Sequence, residues 1–238
     1  MGQNVLIIGA SGDIGAAIAE RLAADGYHLL LHYHSNKKAI DTLRERLTEE
    51  RILMELKADL RTEHGVNLLL EKLVLPVDSI IFAGGNALYG LFQQTNIMDM
   101  EEMLALHVKA PWVITRSLLP QLIRNKSGNI IFITSIWGEV GASHEVIYSS
   151  VKGAQNSFVK ALAKEVAPSG ISVNAVSPGF IDTKMNDNIT DLEREAVLNE
   201  IPMNRAGLPA EVAHTVRFLL DDQSNYIQGE IIRINGGW

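Results

Sequence analysis

Short apolar segments alternate with longer amphipathic ones along the whole chain, and this alternation restricts the fold more than any other feature. The short segments are rich in β-branched residues and leucine, as buried strands are, and the longer ones repeat their apolar residues with the period of a helix. The predicted strands are Val5–Ile8, Leu29–Tyr33, Ile52–Ala58, Ser79–Ala83, Asn129–Thr134, Ser172–Val176 and Glu230–Ile234. The predicted helices are Gly15–Ala24, Lys37–Glu49, His64–Leu73, Met98–Ile123, Ser149–Ala167 and Ala210–Leu220. Such a chain is expected to form an α/β fold, a doubly wound parallel sheet of seven strands with helices on both faces, which binds ligands beyond the carboxyl ends of its strands.

The alternation continues through all 238 residues without a linker or a repeat, so we predict a single domain over residues 1–238. Residues 181–204 depart from it, because this segment is polar before a short helical stretch. We interpret the segment as a mobile lid over a substrate site. Its polar residues include Asp182, Lys184, Asn186, Asp187 and Asn188.

Composition excludes several classes of function. The formal net charge is −7, and no dense Lys/Arg cluster offers a nucleic-acid surface. The chain has no cysteine, which excludes thiol catalysis, thiolate metal sites and disulfides and is compatible with a reducing compartment. Its first apolar run is too short for a signal segment or for the ~20 residues of a membrane span. We therefore expect a soluble cytoplasmic protein with no metal site, no nucleic-acid partner and no membrane partner.

A glycine-rich turn joins the first predicted strand to the first helix. Glycines allow a tight turn and a close approach of backbone N–H groups to a pyrophosphate, which the N-terminus of a helix attracts. Glycines between a strand and a helix are also common as plain turn residues, but the first strand–helix junction of an α/β chain favours a dinucleotide site. The predicted cofactor contacts in this turn are Gly9, Ser11, Gly12, Asp13, Ile14 and Gly15.

The end of the second strand distinguishes between NADP and NAD. An acidic residue there would bind the ribose hydroxyls of NAD and repel a 2′-phosphate, and none is within reach. Polar residues that could donate to phosphate oxygens follow instead, although Ser35 or Asn36 could simply cap the next helix. We therefore favour NADP(H) over NAD(H). The predicted contacts are Tyr33, His34, Ser35 and Asn36, with Lys37 as a further donor.

Tyr148 and Lys152 lie four residues apart at the start of a long amphipathic helix, so that the phenol and the ammonium share one helical face. A cation there is expected to lower the pKa of the phenol, which can give a proton to a carbonyl oxygen as hydride reaches carbon. Ser135 ends the preceding strand and could hydrogen-bond the same oxygen. A tyrosine and a lysine at this spacing occur often by chance. It is uncommon for such a pair to follow, in this order, a glycine turn at the first strand and a serine at the end of a later strand.

In this ordered series the chain resembles the short-chain dehydrogenases/reductases over essentially its whole length. The resemblance implies a Rossmann-type fold, hydride transfer between a nicotinamide cofactor and a ketone, and the catalytic residues Ser135, Tyr148 and Lys152. Tyr148 and Lys152 would also contact the cofactor, Lys152 through the nicotinamide ribose. Asp59 and Leu60 are similar to the pair that contacts adenine, and Ala83, Gly84 and Gly85 follow the fourth strand beside the cofactor. The segment that lines the nicotinamide is matched by Pro178, Gly179, Ile181 and Thr183.

Three departures from the family pattern affect the expected site. Ile8 and Asp13 replace the usual threonine and middle glycine of the turn, and Phe82-Ala83-Gly84-Gly85 replaces Asn-Asn-Ala-Gly. His107 replaces the asparagine that sits at a helix kink and holds a water of the proton relay. An imidazole could itself relay protons, or the ring could merely pack beneath the cofactor.

Two substrate classes remain open. The chain resembles 3-oxoacyl-[acyl-carrier-protein] reductases, but Asn129 and Ser169 stand where these often carry the arginines that meet the carrier protein; Arg124 and Lys126 are near in sequence. It also resembles bacterial reductases of 5-aminopentanone attached to elongation factor P. The predicted substrate contacts are Asn86, Tyr89, Trp137 and Glu139, of which the last three would suit an amino-ketone cation, although the two aromatic rings could equally be packing residues.

The family resemblance also implies self-association through two helices, giving a homotetramer or a homodimer. Phe158, Leu162 and Val166 form an apolar stripe that fits such an interface, although a stripe facing only the chain's own sheet has the same pattern. A non-catalytic NADP-sensing protein on the same scaffold is the remaining alternative. It would account for the altered asparagines but not for the intact serine, tyrosine and lysine.

Overall fold

The computed structural model describes residues 3–187 and 189–238; Asn188, which belongs to the predicted lid, lies outside them. Within the described residues seven strands form one sheet in the order β3-β2-β1-β4-β5-β6-β7, and every neighbouring pair is parallel. The strands are β1 Asn4–Ile8, β2 His28–Tyr33, β3 Ile52–Lys57, β4 Ser79–Phe82, β5 Gly128–Ile133, β6 Ile171–Pro178 and β7 Ile231–Ile234. The predicted doubly wound parallel sheet is confirmed.

Helices join the strands. They are α1 Asp13–Ala24, α2 Lys37–Arg46, α3 Glu63–Lys72, α4 Ile97–Leu104, α5 Ala110–Asn125, α6 Trp137–Val140, α7 Val146–Val166, α8 Asp191–Glu200 and α9 Pro209–Leu219. In the described part of the chain, no helix has the length and apolarity that crossing a bilayer requires.

Each face of the sheet carries its own hydrophobic core, because successive side chains of a strand point to opposite faces. Leu6 and Ile8 pack with residues of α3, α5 and α7 on one face. Val5 and Ile7 pack with residues of α1, α2 and α9 on the other. Helices therefore cover both faces, as predicted.

The order of the strands reverses direction at β1, which has β2 on one side and β4 on the other. Ile7 of β1 is in register with Leu31 of β2 and Ile81 of β4. A crevice opens beyond the carboxyl ends of two strands at such a switch point, and ligands of open α/β sheets bind there.

The structure corrects the predicted helix over residues 98–123. It consists of α4 and α5 joined by a π-helical turn, Ala105–Lys109. At this turn the carbonyl oxygen of His107 accepts a hydrogen bond from Gln155 Nε2 at 2.8 Å. In a regular α-helix this carbonyl oxygen would accept a hydrogen bond from the helix backbone, and here it accepts one from a side chain of α7. Local π turns of this kind are frequent at functional sites.

Candidate active site

Ser135, Tyr148 and Lys152 meet at the carboxyl end of the sheet. Ser135 lies two residues after the end of β5 and is 8% exposed, and α7 carries the other two on one face. The ammonium of Lys152 lies 5.6 Å from the centre of the Tyr148 ring and donates to the carbonyl oxygen of Ile133 at 2.9 Å. The structure therefore brings the three predicted catalytic residues together.

Burial has the largest effect on the pKa values of Tyr148 and Lys152. It raises the pKa of Tyr148 to about 12, although a hydrogen bond with Ser135 acts in the opposite direction. It lowers the pKa of Lys152 to about 7. The prediction that Lys152 depresses the pKa of Tyr148 is wrong for this structure, because desolvation of the phenolate outweighs the other effects. The phenol is thus protonated at neutral pH, which is the form that a proton donor needs.

His107 lies in the π-helical turn and is 1% exposed, with its ring edge-on to Tyr148 at a centroid distance of 6.0 Å. Its Nε2 lies 3.0 Å from the carbonyl oxygen of Asn86. Since a carbonyl only accepts, Nε2 carries the hydrogen and Nδ1 is an acceptor. Among the described residues Nδ1 is buried without a partner. Burial, and then the charge of Lys152, lowers the pKa of His107 to about 3, so the ring is neutral.

The ring of His107 fits its place because residue 85 has no side chain. A Cβ on Gly85 would lie 2.4 Å from His107 Cε1. Real Cβ atoms do not come so close, so an imidazole at position 107 and a glycine at position 85 depend on each other. Ala83 and Gly84, the other two predicted cofactor contacts after β4, continue the same loop towards Asn86.

The glycine turn between β1 and α1 is packed against the loop after β4. Gly9 has φ +83°, and a Cβ on it would lie 2.3 Å from Gly84 Cα. A Cβ on Gly15 would lie 2.2 Å from the carbonyl oxygen of Gly9. Gly12 precedes α1 and caps it with no side chain, unlike Asn36, which caps α2. The first N–H groups of α1, near Ser11 and Ile14, are therefore available to an anion such as a pyrophosphate.

Asp13 begins α1 and faces the predicted lid. Its carboxylate accepts from the backbone N–H of Lys184 at 2.7 Å, and its other oxygen is 3.9 Å from that side chain's ammonium. The acid that replaces the family's middle glycine thus joins the turn to residues 184–186. In this arrangement the negative charge of Asp13 lies near the ammonium of Lys184.

The structure separates the residues predicted to bind a 2′-phosphate. The ring of Tyr33 is buried in the core, Asn36 caps α2 by accepting from Ala39 N–H at 3.2 Å, and Lys37 is paired with Asp41 and Glu55. These three side chains are engaged within the protein. Exposed His34 and Ser35 lie at the strand end, and His34 Nε2 is 3.6 Å from the Asp59 carboxylate.

Two further segments were predicted to contact the cofactor, Asp59 with Leu60 and residues 178–183. Asp59 is held by Arg61 through bonds of 2.9 and 2.8 Å, which lower its pKa to about 2, and the side chain of Leu60 is buried in the core. At the other segment the carbonyl oxygen of Pro178 accepts from Ile136 N–H. Gly179, Ile181 and Thr183 follow β6 between the catalytic strand end and α1.

The predicted substrate residues occupy different surroundings. Tyr89 is 75% exposed and stacks on His144 at 5.5 Å, while Trp137 meets the C-terminal Trp238 edge-on at 4.9 Å. Glu139 accepts from Arg233 at 2.7 and 3.1 Å and from Ser177 at 3.1 Å. The carboxylate of Glu139 is thus already paired, which argues against its predicted role as partner of a substrate cation.

Glu145 is an acidic residue beside Trp137 that the sequence did not lead us to predict as part of the site. It directly precedes α7, three residues before Tyr148. Burial raises the pKa of Glu145 while the indole of Trp137 lowers it, and its charge contributes to the high pKa of Tyr148. Its position one helical turn before the tyrosine was the available signal.

Known proteins resemble this chain in sequence and in fold. A profile of the family described as Enoyl-(Acyl carrier protein) reductase matches residues 9–238. The chain belongs to the short-chain dehydrogenase/reductase family. Its relatives in that family include the uncharacterized oxidoreductase YmfI of Bacillus subtilis, 49% identical over 100% of this chain and 99% of the relative. They also include the 3-oxoacyl-[acyl-carrier-protein] reductase FabG of Aquifex aeolicus, 33% identical over 99% of this chain and 97% of the relative.

Solved structures of short-chain dehydrogenases/reductases superpose on the whole chain. The enzyme from Serratia marcescens BCRC 10948 gives a TM-score of 0.90 at 26% identity and covers 100% of this chain and 98% of its own. A 3-oxoacyl (acyl-carrier-protein) reductase from Agrobacterium tumefaciens C58 with NADP bound gives 0.91 at 26% identity, covering 100% and 94%. Family membership makes this chain an NAD(P)-dependent oxidoreductase with a Rossmann-type fold.

The family's dinucleotide fits the residues present. The uncapped N-terminus of α1 offers N–H groups to the pyrophosphate, and the crevice between β1 and β4 is the position at which doubly wound sheets hold dinucleotides. Lys152 and Tyr148 stand at the carboxyl end of the same sheet, where Lys152 donates to Ile133, the last residue of β5.

Proposed function

We propose that this protein is an NADPH-dependent reductase that converts a ketone to a secondary alcohol. One observation carries the proposal: a protonated, buried Tyr148 stands beside Ser135 and Lys152 at the carboxyl end of the sheet. A reduction needs a proton donor at the carbonyl oxygen, and a phenol with a pKa of about 12 holds its proton at every physiological pH.

NADPH, when bound, supplies hydride to the carbonyl carbon. The hydroxyl of Tyr148 donates its proton to the carbonyl oxygen, and Ser135 donates a hydrogen bond to the same atom. The ammonium form of Lys152, which a pKa of about 7 leaves partly populated at neutral pH, stabilises the phenolate that is left. The products are the alcohol and a tyrosinate, to which a proton must return.

We propose that His107 orients a water for that return of the proton, as a hydrogen-bond acceptor and not as a base. Its Nδ1 is a buried acceptor without a partner among the described residues, and the nearby charge of Lys152 contributes to its low pKa. A water between Lys152 and Nδ1 would satisfy this nitrogen and link the ammonium to the surroundings. The carbonyl oxygen of His107, by contrast, already accepts from Gln155.

NADPH is favoured over NADH because no acid stands at the end of β2, where NAD-specific sites place one. Exposed His34 and Ser35 are the candidate donors to a 2′-phosphate. Titrating both cofactors against the wild type and Ser35→Asp tests this: the added carboxylate is expected to weaken NADPH more than NADH. Equal weakening would remove the support for NADP specificity.

A 3-oxoacyl thioester on an acyl carrier is the first candidate substrate class, since FabG relatives of 31–35% identity carry that activity in their names. Docking to the acidic carrier is the weaker part of this proposal. Asn129 is 9% exposed within β5 and accepts from Ser172 Oγ at 2.5 Å, so this position offers the carrier no surface.

A ketone with a cationic amine, such as 5-aminopentanone on elongation factor P, is the second candidate. Glu145 favours it, because this carboxylate stands beside Trp137 and one turn from Tyr148. Side-by-side turnover of a 3-oxoacyl thioester and carbonyl-modified elongation factor P decides between the two. Glu145→Gln is expected to impair only the cationic substrate, and Glu139→Gln, whose carboxylate is paired with Arg233, is the matched control.

The decisive test of reductase chemistry is NADPH consumption with an activated ketone by the wild type, Tyr148→Phe and the control Tyr89→Phe. We expect Tyr148→Phe to lose roughly 10²–10⁴-fold in kcat while binding NADPH normally. Turnover that survives Tyr148→Phe would disprove the mechanism. A wild type that binds NADPH but reduces no ketone would instead support a cofactor-sensing protein.

We further propose that residues 181–204 close over the substrate and that the protein works in the cytoplasm. The hydrogen bond from the backbone N–H of Lys184 to Asp13 supports a hinge at the start of the lid.

We also propose that the protein forms a homotetramer or homodimer. Trp112 of α5 is 47% exposed and lies 6.0 Å from the ring of Phe158 of α7, and the two form an apolar surface suited to a second copy. Sedimentation of the wild type and Trp112→Glu tests the assembly, since a charge in the interface would dissociate it.

A further inference from the structure

His32 is a buried histidine that the proposed chemistry does not use. It lies in β2 and is 4% exposed. Its Nδ1 accepts from the backbone N–H of Gly9 at 3.2 Å, and its Nε2 lies 3.1 Å from the carbonyl oxygen of Ala58. Because a carbonyl only accepts, Nε2 carries the hydrogen and Nδ1 is the acceptor. Burial lowers the pKa of His32 to about 4, so this neutral ring persists at neutral pH.

The two partners of the ring belong to the two loops that face the dinucleotide. Gly9 is the first glycine of the cofactor turn, held at φ +83° against Gly84. Ala58 follows β3 and directly precedes Asp59. One side chain thus links the carboxyl ends of three neighbouring strands, β1, β2 and β3.

The bond to Gly9 has a directional consequence. A peptide N–H pointing into the sheet fixes the plane of the peptide before Gly9. The carbonyl oxygen of Gly9 in turn accepts from Gly12 N–H at 3.1 Å. Gly12 precedes α1, whose uncapped N–H groups meet the pyrophosphate. The geometry therefore connects His32 Nδ1 to the orientation of the phosphate-binding amides through two consecutive hydrogen bonds.

We propose that His32 is a positioning residue for the dinucleotide and that it acts through its bond to Gly9. The inference rests on the cofactor binding of the proposed function and is independent of the ketone. Loss of the Gly9 bond would leave a partly buried N–H without its acceptor and let the turn relax, so the cofactor would have to reorder the turn on binding. The bond to Ala58 stabilises the fold and contributes little to affinity.

Two substitutions separate these roles. In His32→Asn the amide oxygen can take the place of Nδ1 and keep an acceptor for Gly9, but the side chain is too short to reach Ala58. In His32→Gln the amide nitrogen can take the place of Nε2 and reach Ala58, while Gly9 loses its acceptor. The dissociation constant of NADPH, measured by fluorescence without ketone, is compared with the unfolding temperature of each free variant.

We expect His32→Asn to bind NADPH within about threefold of the wild type and His32→Gln to bind about tenfold more weakly, the loss of roughly one hydrogen bond. At saturating NADPH the kcat of both variants should equal that of the wild type. Equal weakening of NADPH by both, or weakening that follows the unfolding temperature alone, would show that His32 only packs the core. A wild type that binds neither NADPH nor NADH would instead refute the proposed function, and the inference with it.

Discussion

Gly85→Ala tests the dependence between the loop after β4 and the imidazole of His107. The added Cβ would lie 2.4 Å from His107 Cε1 and 3.2 Å from Nδ1. The ring would have to move by about 1 Å to restore a carbon–carbon separation of ~3.5 Å. That movement strains the 3.0 Å bond from Nε2 to Asn86. Gly85 is not among the residues of positive φ, so alanine suffers from this contact and not from its backbone conformation.

The change that Gly85→Ala makes in the free energy of unfolding is the sum of three effects. Overpacking against the buried ring of His107 costs about 1–3 kcal/mol, and a weakened hydrogen bond adds about 1 kcal/mol. Replacing glycine restores about 0.4–1 kcal/mol by restricting the unfolded chain. We therefore expect Gly85→Ala to lower the free energy of unfolding by about 2 kcal/mol, which corresponds to roughly 4–8 °C in Tm for a chain of this length.

A double-mutant cycle with His107→Asn isolates the contact, because asparagine has no counterpart of Cε1, the atom that the Cβ would approach most closely. In that background Gly85→Ala should be neutral or slightly stabilising, giving a coupling energy of about 2 kcal/mol. Denaturant unfolding of the four proteins measures it. An equal cost of Gly85→Ala in both backgrounds would refute the assigned position of the ring.

Three further predictions concern charge and capping. Burial lowers the pKa of Lys152 to about 7 from its ordinary 10.5, so between these pH values the unfolded chain binds more protons than the folded protein. The stability of the free protein should therefore rise with pH in this range, by at most about 1.4 kcal/mol per pH unit. Denaturant unfolding of Lys152→Met should show no such rise. Asn36→Ala should cost about 1 kcal/mol of stability through the lost cap of α2 and leave the ratio of NADPH to NADH affinity unchanged, whereas a changed ratio would make Asn36 a cofactor contact. Glu145→Gln removes a charge that raises the pKa of Tyr148, so the ultraviolet titration of this phenol, taken as the difference from Tyr148→Phe, should move to lower pH, and an unmoved titration would place Glu145 away from the phenol.

The sequence predicts the fold well because its signals are local. A buried parallel strand is an apolar run, and α2 has a readable cap in Asn36. The same local character explains where the prediction of the cofactor site was incomplete. Lys37 was expected to be able to meet a phosphate, yet it pairs with Glu55, and that contact depends on β3 lying beside β2. No local pattern contains such a long-range partner.

The acidic residues near the substrate entrance illustrate the same limit. Glu139 and Glu145 lie on either side of a short loop, and only the pairing of Glu139 with Arg233 of β7 distinguishes them. This pairing joins residues 94 positions apart. The pKa of Tyr148 has a similar origin, since the helical spacing reveals the adjacent lysine but not the burial that raises this pKa.

Two of the departures from the family pattern are best understood together. Where the family has two asparagines after the fourth strand, this chain has Phe82 and Ala83, and Phe82 is buried, stacked on Phe132 at 4.6 Å. Phe132 in turn meets Phe158 of α7 at 5.8 Å. A buried phenylalanine contributes about 1.5–3 kcal/mol, so apolar packing stabilises this loop in place of polar side-chain contacts.

The imidazole of His107 restores one polar contact to the same loop, because Nε2 donates to the carbonyl oxygen of Asn86. That bond fixes the tautomer and leaves Nδ1 as the acceptor beside Lys152. Replacing the asparagine by histidine therefore has two consequences at once, an anchored loop and a buried acceptor at the catalytic lysine. If the relay runs through Nδ1, His107→Asn should retain more activity than His107→Phe, which keeps a ring but has no acceptor. Equal activities of the two variants, each with intact NADPH binding, would mean that the ring serves only to anchor the loop.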